Sequence, residues 1–180
     1  MPDEIGELKE RAEEAVHEPS LAPVTLSMAI LAVLIAGVTL LGHRAHTEEV
    51  LLQTRSADQW AYYQAKEIRR RSYELFLDEL SIFSLQNPQQ VEAVREKYSK
   101  EVERYAEELK EIEADARKEE AEVKIVEARA DRYDLSEVLL EAALVISSIT
   151  LLTRKKMFWL IGIVLSLAGI VIGITGLMIH

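Results

Sequence analysis

The sequence predicts an all-α integral membrane protein, with three transmembrane helices and a long antiparallel coiled-coil hairpin between the first and second. Three observations carry this. Between Gly42 and Gly162 there is no glycine and a single proline, Pro88, so the residues that punctuate turns and strands are missing over a stretch that only long helices fill. Residues 21–42 and 157–179 carry no Asp, Glu, Lys or Arg, and residues 138–153 carry only Glu141. Each run is close to the roughly 20 residues needed to cross about 30 Å of hydrocarbon. Apolar residues from Val91 to Tyr133 recur at steps of three and four, the period of a coiled-coil seam.

The elements follow in order. Residues 1–20 form an acidic amphipathic segment, with Ile5, Leu8, Ala12 and Ala15 on one face and seven acids against two bases. No basic region precedes the first apolar run and no cleavage site follows it, so residues 21–42 are expected to remain as transmembrane helix 1 rather than act as a signal peptide. Hairpin helix A is predicted over 43–86, with Ala65, Ile68, Leu75, Phe76, Leu80, Ile82 and Phe83 facing inward. Asn87-Pro88 fits an N-cap followed by proline at the first helical position, which starts hairpin helix B over 87–134. Its lane runs Val91, Val94, Tyr98, Val102, Tyr105, Leu109, Ile112, Ala116, Glu119, Val123, Val126, Ala130 and Tyr133, with Glu119 the one polar intruder. Folding the arms about the turn brings Asp58 near Arg117 and Lys118, Arg55 near Glu119 and Glu120, and Arg69, Arg70 and Arg71 near Glu103 and Glu107. Transmembrane helix 2 is predicted over 135–153, a basic loop over 154–156, and transmembrane helix 3 over 157–179. Arg154-Lys155-Lys156 is a dense positive cluster in a very short connection, so the positive-inside rule places it in the cytoplasm. The N-terminus then lies inside as well and the hairpin outside.

Composition excludes several functions. The net charge is −10, and outside the 154–156 loop no strongly basic surface is expected, so nucleic acid is not an expected partner. Cysteine is absent, which removes thiolate chemistry and zinc–thiolate sites. There is no phosphate-binding glycine loop, nucleophile elbow or zinc motif, so neither enzymatic activity nor a cofactor is expected.

Four groups of residues remain as candidates. Ala22, Thr25, Ala29, Ala32, Ala36 and Thr39 in helix 1, and Gly162, Ser166, Gly169, Gly173 and Gly176 in helix 3, form seams of small side chains. Such seams let helix backbones approach closely in lipid. Each seam needs a partner, either the other seam or a second copy of the chain. Glu141, in line with Glu137 and Ser148, suggests either a polar stripe lining a pore or an interhelical hydrogen bond, because an acid at membrane depth costs about 2.5–3.5 kcal/mol on insertion scales. His43, His46 and Glu49 follow one face just beyond helix 1, where a divalent metal and plain interfacial packing are the two readings. Asp58, Gln59, Trp60, Tyr62, Tyr63 and Gln64 crowd three aromatics into four positions pointing in different directions, more than one partner helix can cover.

The run Ala45-His46-Thr47-Glu48, then Gln53-Thr54-Arg55 and the block Asp58-Gln59-Trp60-Ala61-Tyr62-Tyr63-Gln64-Ala65-Lys66, resembles a family of bacterial membrane proteins catalogued as a domain of unknown function. Ser147-Ser148, the basic loop and Phe158-Trp159 continue the resemblance, which covers the chain from about Leu21 onward. It implies three spans with a helical hairpin between the first two, a bacterial inner membrane location, and more often an uncharged amide at the position of Glu141; it implies no activity. The expected function is a non-enzymatic homo-oligomeric membrane scaffold or docking protein, its partners the lipid bilayer, further copies of itself and another membrane or periplasmic protein. The alternative is an oligomeric channel with helix 2 lining the path.

Overall fold

A computed structural model describes residues 21–82 and 88–179. The acidic segment 1–20, the Asn87 cap and the inward position of Phe83 lie outside the described residues. The described residues form three helices, α1 (Ala22–Ile82), α2 (Pro88–Thr153) and α3 (Lys156–Leu177), and no strand occurs among them. Pro23 and Pro88 fall in first turns, where a missing N–H leaves no intrahelical bond unmade. The expected boundaries at 42/43 and 134/135 are not breaks in the backbone, since α1 and α2 run through both unbroken. After Thr153 the chain turns through Arg154, held in the left-handed region at φ 58°, with its N–H bonded to the Thr150 carbonyl at 2.8 Å. Lys155 is extended and opens α3.

The contacts divide the chain into two compact units. The first holds the described residues up to Glu48 and from Ile125 onward; the second is Glu49–Lys124. In the first, α1 and α3 run in the same direction and α2 against both. Ser27 meets Trp159 near one end, and Val38 faces Gly173 toward the other. Leu31, Leu140 and Ala143 form the core, joined by Leu34, Ile35, Val38, Leu144, Leu165 and Ile170. Ala45, Ala130 and Tyr133 form a second cluster beyond it. The apolar window of each helix is only 11%, 28% and 22% buried, so most of the greasy surface points outward. A surface of that kind is stable against lipid and costly against water. All three helices are long and apolar enough to cross a membrane.

In the second unit α1 and α2 touch at Lys66–Glu108, Tyr73–Tyr105, Tyr73–Tyr98 and Phe76–Tyr98, so numbers rise on one helix as they fall on the other. Tyr105, Leu109, Ile112, Ala116 and Val123 of the α2 lane are buried. The inward face of α1 differs in part from the predicted one. Ile68, Leu75 and Ile82 are 65%, 64% and 77% exposed, and Ala65 is exposed too. Phe76 and Leu80 are less exposed, as predicted, and one lane of less exposed positions runs Leu52, Ser56, Gln59, Tyr63, Lys66, Arg70, Tyr73, Leu77 and Leu80, again at steps of three and four. Four of these nine are polar or charged, so a search for apolar periodicity settles on a neighbouring face.

The predicted charge pairing is corrected as well. Arg70 pairs with Glu67 and Glu74, Arg71 with Glu67, and Arg117 with Glu113, all within one helix. Residues three and four apart are always within reach, whereas pairing across helices requires the side chains to flank the seam. Lys66–Glu108, at 2.6 Å, does cross.

Candidate functional site

The glycine seam of α3 is packed inside the chain, against α2. A methyl group added at Gly162 would overlap Ser147 Oγ and lie 3.0 Å from the Ala143 carbonyl oxygen. At Gly169 it would lie 3.1 Å from Leu140 Cγ and from the Ser136 carbonyl. At Gly173 and Gly176 it would meet Ser136 Oγ at 2.8 Å and Tyr133 Cε1 at 2.9 Å. These approaches are tighter than ordinary contact, so only glycine fits without displacement. Ser166, on the same face, is buried and donates to Ile163 O of its own helix. The α2 side of the seam is Tyr133, Ser136, Leu140, Ala143, Ser147 and Thr150, all buried. Ser136 Oγ donates to the Gly169 carbonyl at 2.8 Å, a bond made possible by the close approach. This half of the seam was missed from sequence, although the three-and-four spacing of the α2 lane continues past Tyr133 into it.

The seam of α1 has a different fate. Ala22, Thr25, Ala29, Ala32 and Ala36 are exposed, and a methyl group at Gly37 would find nothing within 4 Å. Only Thr39 turns inward; its hydroxyl donates to Glu137 Oε1 at 2.6 Å.

That bond separates the members of the suspected polar stripe. Glu137 is half-buried and engaged by Thr39, and Ser148 donates to Val145 O of its own helix at 2.6 Å. Glu141 is exposed and has no hydrogen bond or ion pair among the described residues. Gly169, near the middle of α3, packs on Leu140, so Glu141 lies level with the middle of that helix.

Near the other end of the spans, His46 Nε2 lies 3.1 Å from both carboxylate oxygens of Asp134. His43 is exposed, and in the second unit Glu49 accepts from Gln53 Nε2 at 2.9 Å. Among the described residues no three His, Cys, Asp or Glu side chains gather to hold a metal ion. Arg129 Nη1 reaches Glu48 at 3.4 Å.

In the aromatic block Trp60 and Tyr63 are half-buried and meet edge to face at 5.7 Å, and Gln59 is half-buried beside them. Asp58, Tyr62 and Gln64 are exposed. Lys66 Nζ lies 5.4 Å from the Tyr62 ring and 5.0 Å from that of Tyr105. Its hydrogen bond to Glu108 raises the Lys66 pKa and lowers that of Glu108. Arg69, and then Arg104, hold the Tyr105 phenol below its usual value. Arg70 and then Arg71 pull Glu67 down to about 2. The second unit is thus a seam of rings and ion pairs, where the first is a seam of glycine and hydroxyl.

These features define an all-helical protein with three potential membrane spans, two of them continuous with a charged helical unit. The chain belongs to the family described as Domain of unknown function (DUF4337), whose model matches residues 20–179. No curated protein and no solved structure matches it.

Proposed function

We propose that the protein is a homo-oligomeric membrane scaffold. Its three spans sit in a bacterial inner membrane, and residues 49–124 form an antiparallel coiled-coil arm that docks other copies or another protein outside the cytoplasm. One observation carries the reading. Of two seams built alike from small residues, that of α3 is filled by α2 of the same chain, while Ala29, Ala32 and Ala36 of α1 are exposed among the described residues. In lipid a small-residue face gains little from hydrocarbon and gains packing from a second helix. The exposed Tyr62 and Gln64 beside Trp60 supply a polar-aromatic surface of the type enriched at interfaces. Native mass spectrometry in nanodiscs tests this. The wild type should appear as an oligomer and Ala32→Leu with Ala36→Leu as monomer, with helicity unchanged; a wild-type monomer would sink the reading.

Glu141 favours a second reading, an oligomeric conducting path. An unpartnered acid level with the middle of a span is stable when it meets water or a polar group from another copy. On that reading Glu141→Gln changes ion flux in liposomes without changing subunit number. Unchanged flux would leave Glu141 as an inter-subunit hydrogen-bonding group.

A further inference from the structure

We infer that the first unit carries a binding site for one anionic glycerophospholipid, at the level where the apolar runs of α1 and α3 end. A cavity of about 350 Å³ opens there, lined by Arg44 and Arg129, one carboxylate, Glu48, and an apolar wall including Leu41, Tyr133 and Leu177. A second cavity of about 150 Å³ shares Leu41, Tyr133 and Leu177 and continues along Leu34, Ile170 and Ile174, among apolar side chains of all three helices. Two guanidinium groups at the head of an apolar trough match the division of a phospholipid into phosphate and acyl chain.

The cations are incompletely used within the chain. Arg129 Nε is buried with no hydrogen-bond partner. The Nη1 contact to Glu48 is 3.4 Å, long beside the roughly 2.7–2.9 Å of a well-made charge-assisted bond. Arg44 has no hydrogen bond or ion pair among the described residues. Guanidinium groups suit phosphate because their planar donors can bind two oxygens at once. Two arginines against Glu48 leave one net positive charge, which complements the single negative charge of a phosphodiester. Glu48 is then placed to accept from a headgroup hydroxyl, as phosphatidylglycerol offers. Arg44 stands two residues beyond Gly42, the last residue of the uncharged run, so the phosphate lies at headgroup depth with its chain directed into the bilayer.

The test places the full chain in nanodiscs of equal phosphatidylglycerol and phosphatidylcholine and counts retained lipids by native mass spectrometry. Retention should favour phosphatidylglycerol by on the order of fivefold per arginine engaged. Arg44→Gln should lose about that factor, and Arg44→Gln with Arg129→Gln should abolish the preference. Glu48→Gln frees Arg129 and should raise retention, which no general loss of folding would produce; circular dichroism checks the helicity of each variant. Equal retention of the two lipids by the wild type overturns the proposal, as does an unchanged preference in Arg44→Gln. Loss of bound lipid to excess inorganic phosphate would also overturn it, by showing an anion site without recognition of the chain.

Discussion

The small-residue faces of α1 and α3 are alike in sequence and unlike in use. Both repeat small side chains at three- and four-residue steps through an uncharged span. In α3 the residues are glycines, close enough to α2 that any side chain collides with Ser147, Ser136, Leu140 or Tyr133. In α1 most are alanines, and all but Thr39 are exposed. A seam of small residues therefore marks a capacity for close packing, and the partner's own shape decides where that capacity is spent. The α2 lane of serine, alanine and threonine allows the close approach that α3 needs, and Ser136 adds a hydrogen bond.

The largest test of this contrast is Gly162→Leu, which drives a branched side chain into Ser147 and the Ala143 carbonyl. It should destabilise the bundle by about 3 kcal/mol or more, read as a lower midpoint in denaturation from micelles. The matching change on the other face, Ala32→Leu, should leave that midpoint within about 0.5 kcal/mol of wild type and act on subunit number instead. If both substitutions unfold the monomer, the two faces are equivalent and the contrast fails.

Acid should separate the units next. Glu67 is held at about 2, below its unfolded value of 4.5, so its contribution is complete above 4.5 and is lost as pH falls toward 2. Glu96 and Glu108 are lowered in the same sense, by Lys100 and Lys66. The Glu67 share is about 1 kcal/mol, because its arginine partners sit on the same helix and persist in any residual helix of the unfolded state. The α3 seam contains no carboxylate. Trp60 and Trp159, the two tryptophans of the chain, report the two units by fluorescence once each is kept alone. Between pH 4.5 and 2 the Trp60 transition should move to lower temperature and the Trp159 transition should stay; equal movement of both would refute the division.

Smaller effects sharpen the same point. Ser136→Ala removes the hydroxyl bonded to Gly169 and should cost about 0.6 kcal/mol, the average for such bonds in a membrane. Gly37→Ala, with open space around the added methyl, should be neutral or stabilise by up to about 0.5 kcal/mol in the same micelle titration. A clear loss there would reveal a neighbour against α1 in the monomer.

How much was legible from sequence differs by region. The bundle's glycine seam could be named residue by residue, because in lipid the only side chains that permit close approach are the smallest ones. Its partner could not, because Ser136, Ser147 and Thr150 read as ordinary span residues until α3 is laid against them. In the second unit, the α2 lane stood out as apolar. The α1 lane did not, since Ser56, Gln59, Lys66 and Arg70 occupy inward positions while Ile68 and Leu75 lie outside. The cluster of Arg44, Glu48 and Arg129 was invisible for a similar reason: residues 81 and more apart in sequence meet only when the helices are paired.

The sequence by itself determined the helical class, the three apolar runs of spanning length and the family, since length, missing glycine and uncharged runs act locally and need no partner. Only the tertiary structure decided which small-residue face is filled, which acid finds a hydroxyl and which is left bare, and where two arginines converge. Those outcomes depend on the rotation of one helix against another. A shift of one residue turns a helix by about 100° and exchanges the buried face for the exposed one.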